Sequence, residues 1–351
     1  MGKVLLGDVA KEVKEKFHSS GVPPMVVGLE HLIPEEIRLK NWNNETGINT
    51  TFTKAFHKGQ ILFGRRRAYL KKAAVAPSDG ICSGDITVIS ARPEKILPEL
   101  LPFVIQNDEF FAFAVEKSAG SLSPRVKWSQ LKDYAFQLPE MGEQRKLAKV
   151  LWQLVETREK YQNLIVQTDE LVKSQFIEMI TEHSNGLKAI GDLVETKIEK
   201  VKDLPESIHS IKYIDISSLD NERKCVTRYT EYELSKAPSR AQQVIEKGDI
   251  LLSTVRPNLE GRAVNQYEGD NIVASTGFCI LRAKKCEPAY IWGIISSRQF
   301  VTYICEIAHG ISYPAVNDKD ILGYMAPALD DQYQKRYADI LEQSDKSKFT
   351  M

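Results

Sequence analysis

The sequence predicts an α+β fold made of two similar domains with a long helix between them. Three observations predict it. First, phrases recur in order: Gly7-Asp8-Val9 returns as Gly191-Asp192-Leu193, and Lys58-Gly59-Gln60-Ile61-Leu62 returns, at a slightly larger shift, as Lys247-Gly248-Asp249-Ile250-Leu251. At the second shift Arg67 meets Arg256, Leu70 meets Leu259, and Ala74-Val75 meets Ala263-Val264. Further on, Ser83-Gly84-Asp85-Ile86 faces Ser275-Thr276-Gly277-Phe278, Phe110 faces Phe300, and Gly120 with Pro124 faces Gly310 with Pro314. Ordered matches with a drifting shift are the mark of a duplicated domain that has gained loop insertions. Second, residues 143–182 contain neither proline nor glycine and are rich in Leu, Gln, Glu and Lys. Third, short β-branched or aromatic runs alternate with helical periodicity inside each copy.

Taken in order, residues 1–141 form the first domain. Gln60 to Phe63 and Ile86 to Ser90 read as strands, and Leu97 to Ser118 has helical spacing through Leu100, Leu101, Val104, Ile105, Phe111 and Val115. Residues 142–184 read as one helix. Alternating steps of four and three from Leu147 give Leu151, Leu154, Arg158, Tyr161, Ile165, Thr168, Val172, Gln175 and Met179, mostly apolar, as in a coiled-coil seam. At about 1.5 Å per residue such a helix spans on the order of 60 Å. Residues 185–328 form the second domain, and a second, shorter helix occupies 329–351.

Composition narrows the function. The chain has 351 residues, 42% hydrophobic and 27% charged, close to globular averages. No N-terminal apolar run or membrane-length stretch is present, and five scattered cysteines without a C-x-x-C pair suit reduced thiols, so a cytoplasmic location is expected. With 47 basic and 47 acidic side chains the net charge is zero, which argues against bulk electrostatic coating of nucleic acid. Charge is nonetheless segregated. Residues 58–72 hold six Lys or Arg and no acid; residues 117–132 hold four and no acid.

Catalytic signatures are missing: no phosphate-binding G-x-x-x-x-G-K-[ST] loop, no G-x-G-x-x-G, no H-E-x-x-H, no G-x-S-x-G, and no metal-spaced Cys/His cluster. The six histidines (18, 31, 57, 183, 209, 309) are dispersed, and Glu12/Lys14 and Glu195/Lys197 are pairs that chance supplies in so charged a chain. No Asn- or Asp-Pro-Pro-aromatic motif for gripping a flipped base is present. The chain is expected to be non-catalytic, without cofactor or metal.

The binding chemistry lies in two loops. Gly64-Arg65-Arg66-Arg67-Ala68-Tyr69-Leu70-Lys71-Lys72 follows one apolar strand and precedes another, placing cations at a hairpin tip. Arginine can pair bidentately with guanine, and Tyr69 can stack or donate to phosphate. Consecutive arginines repel one another and the local sequence supplies no acid to offset them, so nucleic-acid contact is expected, with an ordinary solvated charged loop as the alternative. In the second copy Arg256, Asn258 and Arg262 occupy the matching segment. The second loop carries Ser121, Ser123, Arg125 and Lys127, matched by Tyr313 and Asn317, on what reads as a helix-to-strand connection; Val126 and Val316 read as buried anchors. Phe110, Phe111, Phe113 and Phe300 read as core.

These phrases in this order resemble the DNA-specificity subunits of Type I restriction-modification enzymes: Leu6-Gly7-Asp8-Val9, Lys58 to Leu62, Gly120 to Arg125, Leu138-Pro139 with Glu143-Gln144-Arg145, then Lys247 to Leu251 and Ala274 to Phe278. The resemblance implies two target-recognition domains, related by a pseudo-two-fold repeat through coiled-coil helices, each reading one half of a split double-stranded DNA target. It implies a modification (methyltransferase) subunit carrying S-adenosylmethionine and a restriction subunit using ATP and Mg as partners. The short second helix departs from the family pattern and raises self-association as a route to a full coiled coil. A coiled-coil adaptor with paired protein-binding domains is the alternative reading.

Overall fold

The computed structural model describes residues 2–17, 25–43, 50–221, 223–310 and 313–349. His18 and the loop residues Ile311 and Ser312 lie outside them. The chain divides into two compact units, residues 1–159 and 160–351. Both mix helix and sheet, as the α+β class requires.

In the first unit, strand Ile61–Gly64 lies between Ala73–Val75 and Ile86–Ala91, and Ala10–Val13 closes the far edge. All pairings are antiparallel. The central strand is buried on both faces, so its side chains feed two cores alternately. Ile61 and Phe63 point into a helical core with Leu101, Ile105, Phe110, Phe111 and Tyr134, while Leu62 joins Val27, Phe56 and Val88 in a second core. Phe63 meets Phe110 edge-on at 5.6 Å between ring centres, and Phe110 meets Tyr134 at 5.1 Å. A three-stranded sheet, with Val26–Val27 parallel and Lys54–Phe56 antiparallel to Gly80–Cys82, covers the second core. The segment with helical spacing after Leu97 is two helices, Leu101–Ile105 and Asp108–Glu116, interrupted where the Asn107 side chain accepts the Glu109 N–H and caps the second.

The second unit repeats this plan. Strand Ile250–Ser253 lies between Arg262–Val264 and Phe278–Leu281, with Ile250 and Leu252 in the helical core and Leu251 in the sheet core. Ser210–Ile214 runs parallel, and Ala241–Val244 antiparallel, to Ile272–Ser275. Strands Leu219–Asp220, Cys225–Val226 and Thr230–Glu233 extend its sheets. In each unit the ends of the domain pair with each other: Gly2–Leu5 with Ala135–Leu138, and Leu187–Ala189 with Met325–Pro327.

Helix Met141–His183 begins in the first unit and ends in the second. Its first turns bury Ala148 and pack Trp152 edge-on against Phe103 at 5.2 Å. Its last turns run antiparallel to the C-terminal helix Asp331–Phe349: His183 stacks on Tyr333 at 4.0 Å, and Phe176 lies 4.8 Å from Tyr337. Of the seam positions read from the sequence, Val172 and Met179 are buried, whereas Leu147, Leu154 and Tyr161 are exposed. Phe176, off that stripe, takes a central place because Gly293 leaves room for its ring.

Candidate nucleic-acid interface

Two backbone hydrogen bonds bring the two basic loops of the first unit together, and a third ties the first loop to Asp85. The Arg65 N–H donates to the Asp85 carbonyl (3.0 Å), the Val126 N–H to the Arg65 carbonyl (2.9 Å), and the Arg67 N–H to the Pro124 carbonyl (2.8 Å). Val126 is fully buried beneath the junction, as read from the sequence. The loop 119–127 connects helix Asp108–Glu116 to helix Trp128–Leu131, correcting the expected helix-to-strand connection. Gly120 turns it with φ +113°, and Ala119 and Arg125 exchange backbone hydrogen bonds (3.0 and 2.9 Å).

The arginines have a partner that local sequence did not supply. Asp85, at the start of the strand beneath them, accepts from Arg125 Nε at 2.8 Å and Nη2 at 3.2 Å, with Arg65 at 3.8 Å and Arg66 at 3.7 Å. The Arg125 fork, with Arg65 and Arg66 behind it, holds the Asp85 carboxyl below the usual carboxylate range. Arg66 Nε also donates to Ser123 Oγ. The fold thus supplies the acid that the local sequence lacks: the loop is braced, and still carries more positive than negative charge. Lys71 is bound to Asp108 at 2.6 Å and Glu35 at 3.0 Å, and Lys72 donates to the Leu29 carbonyl at 2.8 Å. Arg67, Tyr69, Ser121 and Lys127 are exposed, and Arg67 makes no ion pair among the described residues.

The second unit builds the same frame. The Thr254 N–H donates to the Gly277 carbonyl (2.9 Å), the Val316 N–H to the Thr254 carbonyl (2.9 Å), and the Arg256 N–H to the Pro314 carbonyl (2.7 Å). Gly310 turns its loop with φ +104°. Matching these bonds fixes equivalences. Arg67 corresponds to Arg256, and both hold left-handed backbone, φ 55° and 52°, before three-residue 3-10 turns. Around them the chemistry changes: Arg66 to Val255, Asp85 to Gly277, Ser123 to Tyr313, Arg125 to Ala315 and Lys127 to Asn317. The Arg256 guanidinium lies 4.5 Å from the centre of the Tyr313 ring, which is 69% exposed. Asn258 is exposed, and Asn317 caps helix Asp318–Leu322 by accepting the Asp320 N–H at 3.1 Å. Arg262 does not join this surface. It is 3% exposed, paired to Glu260 at 2.9 Å and packed over Trp292, because it stands on an interior strand where the first unit has Ala73.

Asp85 is the residue that sequence reasoning missed. Its phrase was visible as part of the repeat, yet nothing in spacing says that an acid at the start of the third strand onward lies under Arg65.

Residues 35–167 match the Type I restriction modification DNA specificity domain. That span of the chain is similar to a Type I specificity domain. The specificity subunit of the Type I restriction enzyme EcoDI of Escherichia coli is 26% identical over 157 residues, 41% of this chain and 34% of that protein, so the match spans about a third of that relative's length. Two solved structures share the fold over 99% of this chain. One is the Type I restriction-modification system S subunit from M. genitalium (TM-score 0.56, 14% identity, 90% of that chain). The other comes from work on complex assembly and conformational transition of the Type I R-M system (TM-score 0.52, 18% identity, 92% of that chain). The matched span includes the Arg65–Lys72 loop, Asp85 and the Ala119–Lys127 loop.

Proposed function

We propose that this chain is the sequence-specific double-stranded DNA recognition subunit of a Type I restriction-modification complex, each unit reading one half of a bipartite target. The observation that carries the reading is one backbone frame, built twice, that presents an exposed arginine amid different neighbours. Two readers of different sequences need a common way to sit on the duplex and different groups for base edges. On this reading the chain directs modification and restriction subunits and leaves chemistry to them, with S-adenosylmethionine on the first and ATP and Mg on the second. The missing nucleotide, methyl-donor and metal motifs support that division, and a cytoplasmic location follows from it.

The test is co-purification of the full chain from its native cell, followed by duplex binding across a salt series. A methyltransferase and an ATPase should accompany it, and one bipartite sequence should be bound far more tightly than scrambled duplex. Recovery with other proteins and no salt-dependent duplex binding would favour the adaptor reading.

A further inference from the structure

The two units share two left-handed positions in these loops, Arg67 with Arg256 and Lys71 with Glu260, and only at the first is the side chain also the same. Arg67 and Arg256 both hold left-handed backbone, φ 55° and 52°, a conformation that crowds a Cβ against the following carbonyl oxygen. Glycine would fill the position without that crowding. Both arginines are exposed, and both donate their N–H to the proline carbonyl of the neighbouring loop. Their side chains meet different surroundings, since Arg256 lies over Tyr313 where the first unit has Ser123 beside Arg66. What the repeat preserves is thus the backbone placement of an exposed guanidinium, not its protein contacts.

Resting on the function proposed above, we propose that Arg67 and Arg256 are the sequence-blind anchors of their units, each gripping a backbone phosphate. Base discrimination then falls to the positions that diverge around them, Arg66, Ser123 and Arg125 in one unit and Val255, Tyr313 and Ala315 in the other. A phosphate presents the same geometry at every step of the duplex, so the residue that meets it has reason to stay fixed while base readers change. Asp85 acts through others. By holding Arg125 in a two-pronged hydrogen bond it positions that side chain and does not itself meet DNA. Gly277, its counterpart, has no carboxylate, and Ala315, the counterpart of Arg125, needs no positioning.

The test uses the full chain with its native partner subunits, measuring affinity for target and scrambled duplex over a salt series and mapping methylated sites in cells. Arg67→Gly removes the side chain while easing the backbone, and Arg67→Gln keeps the length without the charge. Both should weaken target and scrambled duplex by the same factor, flatten the log affinity against log salt slope by about 0.9, and leave the methylated sequence unchanged. Arg256→Gly and Arg256→Gln should do likewise. Arg125→Ala should instead relax one half-site, cutting discrimination roughly 5- to 150-fold. The assignment is overturned if the position 67 or 256 variants change which bases are methylated, or keep the full salt slope. It is also overturned if Arg125→Ala leaves discrimination intact. A wild-type complex without salt-dependent duplex binding would instead sink the function on which the assignment rests.

Discussion

Gln144 and Gln334, far apart in the chain, make the same pair of hydrogen bonds from the same place in their units. Each is buried one turn into a helix. Gln144 Oε1 accepts the Leu97 N–H at 2.8 Å and its Nε2 donates to the Pro139 carbonyl at 2.9 Å. Gln334 Oε1 accepts the Glu287 N–H at 3.0 Å and its Nε2 donates to the Leu329 carbonyl at 2.6 Å. Each glutamine therefore ties the start of its helix to the segment that leads into the domain's helical pair. A leucine of similar size would strand one buried donor and one acceptor, at about 1–3 kcal/mol each. Gln144→Leu should lower the melting transition of the first unit and Gln334→Leu that of the second. Hydrogen exchange resolved by peptide would show whether each loss is confined to its own unit.

Gly293 is the second point where the second unit is sensitive to one atom. A Cβ there would lie 2.5 Å from the Phe176 ring, which Tyr290 and Tyr337 hold in place. Gly293→Ala should destabilise the second unit by about 1–3 kcal/mol through overpacking. Denaturant unfolding measures this, and Phe176→Leu in the same chain should recover part of the loss.

His57 offers a pH signature in the first unit. Its imidazole bridges Asp79 at 3.0 Å and Glu15 at 3.1 Å, and these hydrogen bonds raise its pKa, Asp79 contributing most. Because the folded value lies above the unfolded one, the stabilisation is full below about pH 6.5 and disappears as pH rises through the raised value. The cluster is exposed, so the effect is small. His57→Gln should flatten the pH dependence of the melting temperature between pH 6 and 9. A wild-type curve already flat there would count against the bridge.

Asp85 has the opposite sign. Its carboxyl is depressed by Arg125 first and then by Arg65 and Arg66, so its contribution is present above the usual carboxylate range and is lost only as pH falls through the depressed value. Asp85→Asn should lower the preference for target over scrambled duplex while strengthening binding to any duplex, since one negative charge leaves a basic surface. Competition binding against non-specific DNA checks both arms, and an unchanged ratio would contradict the positioning role.

Much of this was legible in the sequence because repetition and alternation are local signals. The phrase Lys58 to Leu62 and its copy at Lys247 to Leu251 lead into the equivalent central strands, and their period of two anticipates the division of Ile61, Leu62 and Phe63 between two cores. The helix Met141–His183 followed from composition. What stayed hidden is what the fold brings together from afar. Asp85 meets Arg125 from a distant strand, and Lys71 meets Asp108 and Glu35. Arg262 looked like a surface cation by alignment alone, and only the register of Leu252 with Arg262 places it indoors.

The closing of each unit by its own two ends sets an order for synthesis. Gly2–Leu5 is made long before Ala135–Leu138 and must wait for it before it has a partner, and the second unit's Leu187–Ala189 waits about as long for Met325–Pro327. The first unit can seal itself before the second has begun to collapse, so the two late-arriving strands never compete for one another's mates. Tandem domains that remain alike risk trading pieces, and sealing one copy before the other is complete lowers that hazard.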